Sequence, residues 1–320
     1  MKAVYYTEHG NADVLQVGEL PMPPVAEDEV LVQVVATSVN PIDRRLRGGE
    51  LLEYIPRAFP VVPGWDLAGR VVAVGDGVTE FAEGDDVVGL SFIWAIQHGT
   101  YAEYAPVRAS ALAHKPQSLS FEQAAALPLV SLTAWQTLAE FGKLQAGQSV
   151  LIHAGAGGVG SVAIQLAKHL GAKVYTTASS KNHDYVRSLG ADVVIDYQSQ
   201  DYAEVVREAE PQGLDVIVQS LYDDKVSEES IGLAKDGGAV VYLNNEPPET
   251  ADIAERGIRS EFLHHRADGE SLAALLTLVI EGVVTLPRIQ VMPLEQAAEA
   301  HRLSESTRTV GKLVLHVQEL

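Results

Sequence analysis

The 320-residue sequence contains no cysteine, which excludes disulfides, thiolate nucleophiles and cysteine-ligated zinc or iron–sulfur sites. Positive charge is also scarce: 23 lysines and arginines against 43 aspartates and glutamates leave a formal net charge of −20. Such a surface repels polyphosphate backbones, so neither nucleic acid nor an anionic membrane is an expected partner. Any anionic cofactor must therefore meet a local cationic pocket. Long hydrophobic runs are missing too. The stretch from Val87 to Ile96 is short of the about 20 apolar residues that a bilayer requires. The first residues, with Lys2 followed by Tyr5, Tyr6, Thr7 and Glu8, lack the apolar core of a secretion signal, and the expected location is the cytoplasm.

What is present suffices for two domains with sizeable cores, given the length and a hydrophobic content of 47%. In the first third, short apolar segments are broken by glycine and proline: Ala3 to Tyr6, Val14 to Val17, Glu29 to Ser38, Gly69 to Val74, Asp86 to Gly89 and Tyr101 to Pro106. This spacing predicts an irregular β-barrel. Near Ser120 the pattern turns helical, with Phe121, Ala124, Ala125, Leu127, Leu132, Trp135, Leu138 and Phe141 on a helical repeat. Strand and helix then alternate. Strands are expected at Ser149 to His153, Lys173 to Thr177, Val193 to Ile195, Asp215 to Gln219 and Ala239 to Leu243, apolar and β-branched as in a parallel sheet covered on both faces. A helix over Ser271 to Glu281 and a strand over Lys312 to Val317 follow, and the chain end is expected to return to the first domain.

Gly155-Ala156-Gly157-Gly158-Val159-Gly160 lies directly behind the apolar run Val150-Leu151-Ile152 and ahead of the helical pattern that begins at Ser161. Its G-x-G-x-x-G spacing assigns one glycine to turn the chain, one to admit a pyrophosphate and one to seat the helix on the strand. The helix start offers free N–H groups and a positive dipole end to phosphates. The same spacing also occurs in purely structural turns.

Together with Gly147-Gln148, Leu151, Gln165 and Lys168, this segment resembles the signature of the quinone oxidoreductase and zeta-crystallin group of the medium-chain dehydrogenase/reductase superfamily. Further matches are Ser38-Val39-Asn40-Pro41-Ile42-Asp43, Pro63-Gly64-Trp65-Asp66-Leu67-Ala68-Gly69, Gly99-Thr100-Tyr101-Ala102-Glu103-Tyr104, Leu132-Thr133-Ala134-Trp135 and Gly311-Lys312-Leu313-Val314. The resemblance implies an α/β protein: a GroES-like β-barrel substrate domain at 1–120 and 266–320, a Rossmann domain with a doubly wound parallel sheet at 121–265, and an active cleft between them. It also implies a homodimer. Zinc-dependent alcohol dehydrogenases of the superfamily place ligands where this chain has Asn40, Trp65 and Pro128-Leu129-Val130-Ser131. These side chains are not the thiolates and imidazoles that zinc prefers, so no metal is expected. The chemistry then implied is zinc-free reduction of a quinone or an α,β-unsaturated carbonyl, whose own carbonyl accepts the charge left by hydride addition. Two alternatives stand beside it: an enoyl-thioester or 2-alkenal reductase, and a non-catalytic NADPH-binding sensor.

Residue roles follow from the resemblance and from local chemistry. Asn40 and Asp43 match the group's active-site pair, and they also read as a cap for a helix containing Arg44-Arg45-Leu46. Tyr54 falls near a cleft tyrosine of relatives and is a candidate donor to substrate oxygen. Phe92, Ile93, Trp94, Gln97 and His98 are candidates for the substrate wall or for core. The strand ending at Thr177 has no carboxylate for a ribose 2′-hydroxyl. Ser179, Ser180 and Lys181 follow instead, two hydroxyls and a cation suited to a 2′-phosphate, with Tyr197 matched nearby. NADPH is therefore the expected cofactor. Thr133, Ser220, Leu243, Asn244 and Lys312 are matched to further cofactor contacts. His153 reads as a satisfied core histidine. His264 and His265, being adjacent, point to opposite faces and do not share a metal.

Overall fold

The computed structural model describes residues 1–92, 96–306 and 308–320. Ile93 and Trp94, two of the candidate wall residues, lie outside them. The chain divides into two compact units, one of residues 1–132, 266–280 and 286–320, the other of residues 133–265 and 281–285. The dividing point therefore falls later than the change of periodicity near Ser120.

In chain order the strands are β1 (Lys2–Tyr5), β2 (Gln16–Glu19), β3 (Glu29–Val39), β4 (Arg57–Val62), β5 (Asp66–Val74), β6 (Asp86–Leu90), β7 (Ile96–His98), β8 (Tyr104–Arg108), β9 (Leu112–His114), β10 (Ser149–Ile152), β11 (Lys173–Thr177), β12 (Val193–Ile195), β13 (Leu214–Gln219), β14 (Ala234–Tyr242), β15 (Arg259–Phe262), β16 (Ile289–Pro293) and β17 (Lys312–His316). The helices are α1 (Pro41–Arg47), α2 (Phe121–Ala125), α3 (Pro128–Trp135), α4 (Gly158–His169), α5 (His183–Ser188), α6 (Tyr202–Ala209), α7 (Asp224–Leu233), α8 (Ala251–Glu255), α9 (Gly269–Ile280) and α10 (Ala297–Glu305).

The first unit is the GroES-like half. Its main sheet runs β16-β17-β3-β5-β6-β9, with β8 also on β3. Strand β3 is the organiser: its alternation of Val30, Val32 and Val34 with Leu31, Gln33 and Val35 supplies a core face, and Val30, Val32 and Val34 are fully buried. They pack with Leu67, Val71, Val87, Tyr101, Val107 and Leu315. The register decides the site. Ser38 lies opposite Asp66 and Val39 opposite Leu313, so the end of β3, the start of β5 and the start of β17 converge. The end of the chain does return to this unit, as the sequence pattern predicted.

The second unit carries a six-stranded parallel sheet in the order β12-β11-β10-β13-β14-β15. Strands β10 and β13 sit centrally, and Leu151, Ile217 and Val240 are completely buried, as expected for a sheet covered by helices on both faces. Two signature residues fasten this unit. Gln165 on α4 donates from Nε2 to the Thr285 carbonyl at 3.1 Å and accepts the Thr285 N–H at 2.7 Å, which ties the segment 281–285 to the helix. Lys168 meets Asp192 at 2.8 Å and donates to the Ala172 carbonyl at 3.0 Å.

Candidate functional site

The convergence of β3, β5 and β17 builds a buried polar cluster in the first unit. Asp66 is fully buried and is its hub. Its Oδ2 accepts from Ser38 Oγ at 2.5 Å, Asn40 Nδ2 at 2.7 Å and Lys312 Nζ at 3.2 Å, while Oδ1 accepts the Leu129 N–H at 2.8 Å. Lys312, 4% exposed, gives its remaining protons to Asn40 Oδ1 at 2.5 Å and the Val39 carbonyl at 3.2 Å. An ammonium carries three protons. Lys312 therefore has all three committed inside the cluster and orients Asn40.

Asn40 and Asp43 form the helix cap that the sequence suggested. Asn40 ends the strand in an extended conformation and caps α1, with Pro41 as the first helical residue. Its N–H donates to Asp43 Oδ2 at 2.8 Å, the return half of a capping box. Asp43 is wholly buried. Burial pushes its carboxyl up to about 7, and Asp66 adds repulsion, against the opposing pull of the Asn40 N–H, Lys312 and Tyr101. Its Oδ1 has no partner among the described residues.

Tyr54 stands apart from the buried cluster. It is 68% exposed, on the turn that follows α1, and the phenol that reaches Asp43 is Tyr101, at 3.2 Å. Tyr101 is held there by Gly64, whose φ is +97° and where a Cβ would lie 2.3 Å from the tyrosine ring. The motif glycine is thus a seat for Tyr101 as well as a turn. Of the candidate wall, Phe92 stands edge-on to Trp65 with ring centroids 4.7 Å apart. His98 is partly buried, and desolvation lowers its pKa.

In the second unit the glycine turn joins β10 to α4. The left-handed residue is Ala154, with φ +54°, and Gly155 follows it inside the turn closed by the Gly157 N–H on the Ala154 carbonyl at 2.9 Å. Gly155 is needed for close approach: a Cβ there would fall 2.1 Å from Thr176 Oγ1 on β11. Gly160 seats the helix, since a Cβ would lie 2.4 Å from the Ala154 carbonyl oxygen. Gly157 is different, because its Cβ would meet only that same oxygen, at 3.3 Å. It caps α4, and with Ala156, Gly158 and Val159 it forms the turn at which first-turn N–H groups have no intrahelical acceptor. This is the open edge of the motif, fit for a phosphate.

At the end of β11, Ser179 is 9% exposed and starts a single 3₁₀ turn over Ser180–Asn182. Ser180 and Lys181 are exposed, and Lys181 enters no ion pair among the described residues. Tyr197 is 58% exposed. Neither Ser179 nor Asn182 makes a side-chain cap hydrogen bond to the turn or to α5, and the turn leaves the Lys181 side chain without an ion-pair partner among the described residues. Thr133 is buried at 2% exposure. Ser220 Oγ donates to the His153 carbonyl at 3.1 Å, and Asn244 donates to the Ser220 carbonyl. Leu243 N–H reaches the Gln219 carbonyl at 2.9 Å, so Ser220, Leu243 and Asn244 share the carboxyl ends of β13 and β14. That is the edge of an open α/β sheet where ligands bind.

His153 is buried as expected, yet only half satisfied. Nδ1 is 3.4 Å from Thr177 Oγ1, and Nε2 has no partner among the described residues. Burial lowers its pKa to about 4, so it is neutral at neutral pH. His265 is pushed down to about 4 by burial as well, while the His264 ring stands edge-on to Phe262.

Residues 26–117 match the alcohol dehydrogenase GroES-like domain family, and residues 189–315 match the zinc-binding dehydrogenase family. The donor set does not fit the metal in that second description: the chain lacks cysteine, and the Asn40 carboxamide is held by Asp66 and Lys312. Over 326 aligned residues the chain is 36% identical to a 2-methylene-furan-3-one reductase of Solanum lycopersicum and 35% identical to a chloroplastic NADPH-dependent alkenal/one oxidoreductase of Arabidopsis thaliana. Each alignment covers 99% of this chain and 79% of the relative. The crystal structure of Escherichia coli quinone oxidoreductase complexed with NADPH superposes with a TM-score of 0.88 at 29% identity, covering 99% of this chain and 100% of that one. A barrel whose strand ends hold an asparagine in the metal-ligand place, joined in sequence to a glycine-turn Rossmann unit, agrees with these likenesses, and the chain belongs to the zinc-independent quinone oxidoreductase family of the medium-chain dehydrogenases/reductases.

Proposed function

We propose that this oxidoreductase is an NADPH-dependent, metal-free reductase of quinones or α,β-unsaturated carbonyls. The observation that carries the reading is the state of Asn40. Its Oδ1 is held by Lys312 and one amide proton by Asp66, which aims the second amide proton for a substrate oxygen. NADPH supplies the hydride when bound. The chain's own part is to hold a polarising donor where negative charge develops on that oxygen, in a position fixed before substrate arrives. Because Asn40 is 1% exposed and its neighbours are buried, little water competes for that bond. Lys312 and Asp66 neutralise each other, so the donor is presented without net charge from the pair.

Binding of the cofactor is assigned to the second unit. Gly157 and the start of α4 take the pyrophosphate, and Ser179, Ser180, Lys181 and Tyr197 take the 2′-phosphate. Thr133, Ser220, Leu243 and Asn244 complete the cofactor contacts. Gly157→Ala is expected to leave stability within about 0.5 kcal/mol of wild type while weakening NADPH in a fluorescence titration. Gly160→Ala, whose Cβ would press on backbone, should instead destabilise the unit by about 1–3 kcal/mol.

The deciding measurement is stopped-flow oxidation of NADPH with 9,10-phenanthrenequinone and with a 2-alkenal. Turnover with either acceptor is expected, and Asn40→Ala should abolish most of it. NADPH binding without oxidation by any quinone or enone would identify a sensor rather than a reductase. The family likeness also supports a homodimer, for which light scattering of the purified protein is the direct check.

A further inference from the structure

Asp43 is the end of a one-way chain of hydrogen bonds that begins at Arg47, one turn further along α1, and passes through α10. Arg47 on α1, 3% exposed, donates from Nη2 to Glu305 Oε1 at 2.6 Å and from Nε to the Gly10 carbonyl at 3.0 Å. Its Nη1 lies 2.9 Å from Nδ1 of His301, a fully buried residue on α10. A guanidinium has donors only. His301 Nδ1 must therefore accept, and the single proton of the neutral ring sits on Nε2. Burial, reinforced by the Arg47 charge, holds the ring neutral by lowering its pKa to about 3. Nε2 is 3.3 Å from the Tyr101 hydroxyl, so the tyrosine oxygen accepts there. Its one proton is left for Asp43 Oδ2 at 3.2 Å.

We propose that His301 is a positioning residue: held in the Nε2–H tautomer by Arg47, it turns the Tyr101 hydroxyl so that its proton is given to Asp43, and thereby sets the protonation of the carboxyl that anchors Asn40. The inference rests on the reductase reading for its consequence in catalysis, but the chain itself stands on geometry alone. Asp43 Oδ2 already accepts two hydrogen bonds, from the Asn40 N–H and from Tyr101. When Asp43 takes up a proton, Oδ1 is the oxygen that carries it. The charged and titratable groups facing Asp43 are Asp66 from β5, Lys312 from β17, Tyr101 ahead of β8 and Tyr6 beyond β1, with His301 from α10 and Arg47 connected to it through Tyr101. Lys312 is balanced by Asp66 and Arg47 by Glu305, so neither ion pair leaves a net charge to settle the state of Asp43. The Tyr101 hydroxyl is the adjustable donor, and His301 decides which way it points.

The test is the titration of Asp43 in the full chain, followed by the carboxyl carbon resonance of protein labelled with 13C-aspartate and assigned with Asp43→Asn. In Tyr101→Phe the aromatic ring stays in place and a donor to the carboxylate is lost. The Asp43 midpoint should then rise by about one pH unit, the equivalent of one hydrogen bond to a charged group. His301→Leu should shift it in the same direction. His301→Gln, whose amide can both accept from Arg47 and donate to Tyr101, should restore the wild-type midpoint. The midpoint in the pH profile of kcat/KM should move with the resonance. A purely structural role would lower thermal stability in these variants and leave the midpoint where it was, which overturns the proposal. The wild-type ring nitrogens offer a check that needs no variant: 15N shifts must report the Nε2–H tautomer of His301, and the Nδ1–H tautomer refutes the chain. Absence of quinone or enone turnover would remove the reductase reading, whereas the carboxyl titration and the tautomer would still decide the proposal.

Discussion

Lys181→Ala weakens NADPH binding by about 1–3 kcal/mol, or roughly 5- to 150-fold in Kd, and leaves NADH nearly unchanged. The expectation follows from what surrounds the residue. Lys181 is exposed and enters no ion pair among the described residues, while the strand before it ends in Thr177-Ala178 with no carboxylate to receive a ribose hydroxyl. In a chain of net charge −20, an uncommitted lysine next to two serine hydroxyls is a local exception that attracts a dianion. Its exposure means that salt screens the attraction, so the difference between the two cofactors should shrink as ionic strength rises. Parallel titrations of NADPH and NADH at low and high salt measure both effects. Equal losses for the two cofactors would remove Lys181 from the phosphate site.

Asp66→Leu has the larger structural consequence. The substitution removes the acceptor of Ser38, Asn40, Lys312 and the Leu129 N–H together and leaves the Lys312 ammonium buried without its counter-charge. Breaking a buried pair from one side costs about 3–5 kcal/mol, so the melting temperature should fall and reductase activity should be lost with the orientation of Asn40. The double variant Asp66→Leu, Lys312→Met is expected to recover much of the stability and none of the activity, because the orphaned charge is gone while the donor remains unpositioned. Recovery of activity in the double variant would show that the cluster is structural only. Thermal melts with and without NADPH, beside steady-state rates, separate these outcomes.

The Rossmann strands were legible as short apolar, β-branched runs. Lys173–Thr177 and Val193–Ile195 form with the bounds those runs predicted, although Val193–Ile195 is a half-buried edge strand. The strands that escaped notice are Arg57–Val62, Ile96–His98, Leu112–His114, Arg259–Phe262 and Ile289–Pro293, all of which end a sheet or form a two-stranded one. Edge strands bury little on one side, so their residues carry no strong alternation. The glycine turn of the second unit joins a strand to a helix as its spacing predicts, with Gly160 seating the helix and Gly155 allowing the close approach of Thr176. Ala154 takes the left-handed conformation, and no propensity points to alanine there.

The sequence by itself determined the class of this protein: a cysteine-free, acidic chain with a glycine turn behind an apolar strand, a phosphate-suited Ser-Ser-Lys end to the next strand, and Asn40 and Asp43 at a recognisable helix cap. These are local signals, carried within a few residues of one another. Only the tertiary structure decided what acts on that pair. Asp66, Tyr101 and His301 lie 26 residues from Asn40, 58 from Asp43 and 254 from Arg47 respectively in their cluster bonds, and strand register rather than any spacing brings them together. The tertiary structure also showed that Lys312 supports Asn40. The physical reason is burial: inside the barrel every proton of these side chains needs a partner, and which partner is available depends on strand ends that meet only after folding.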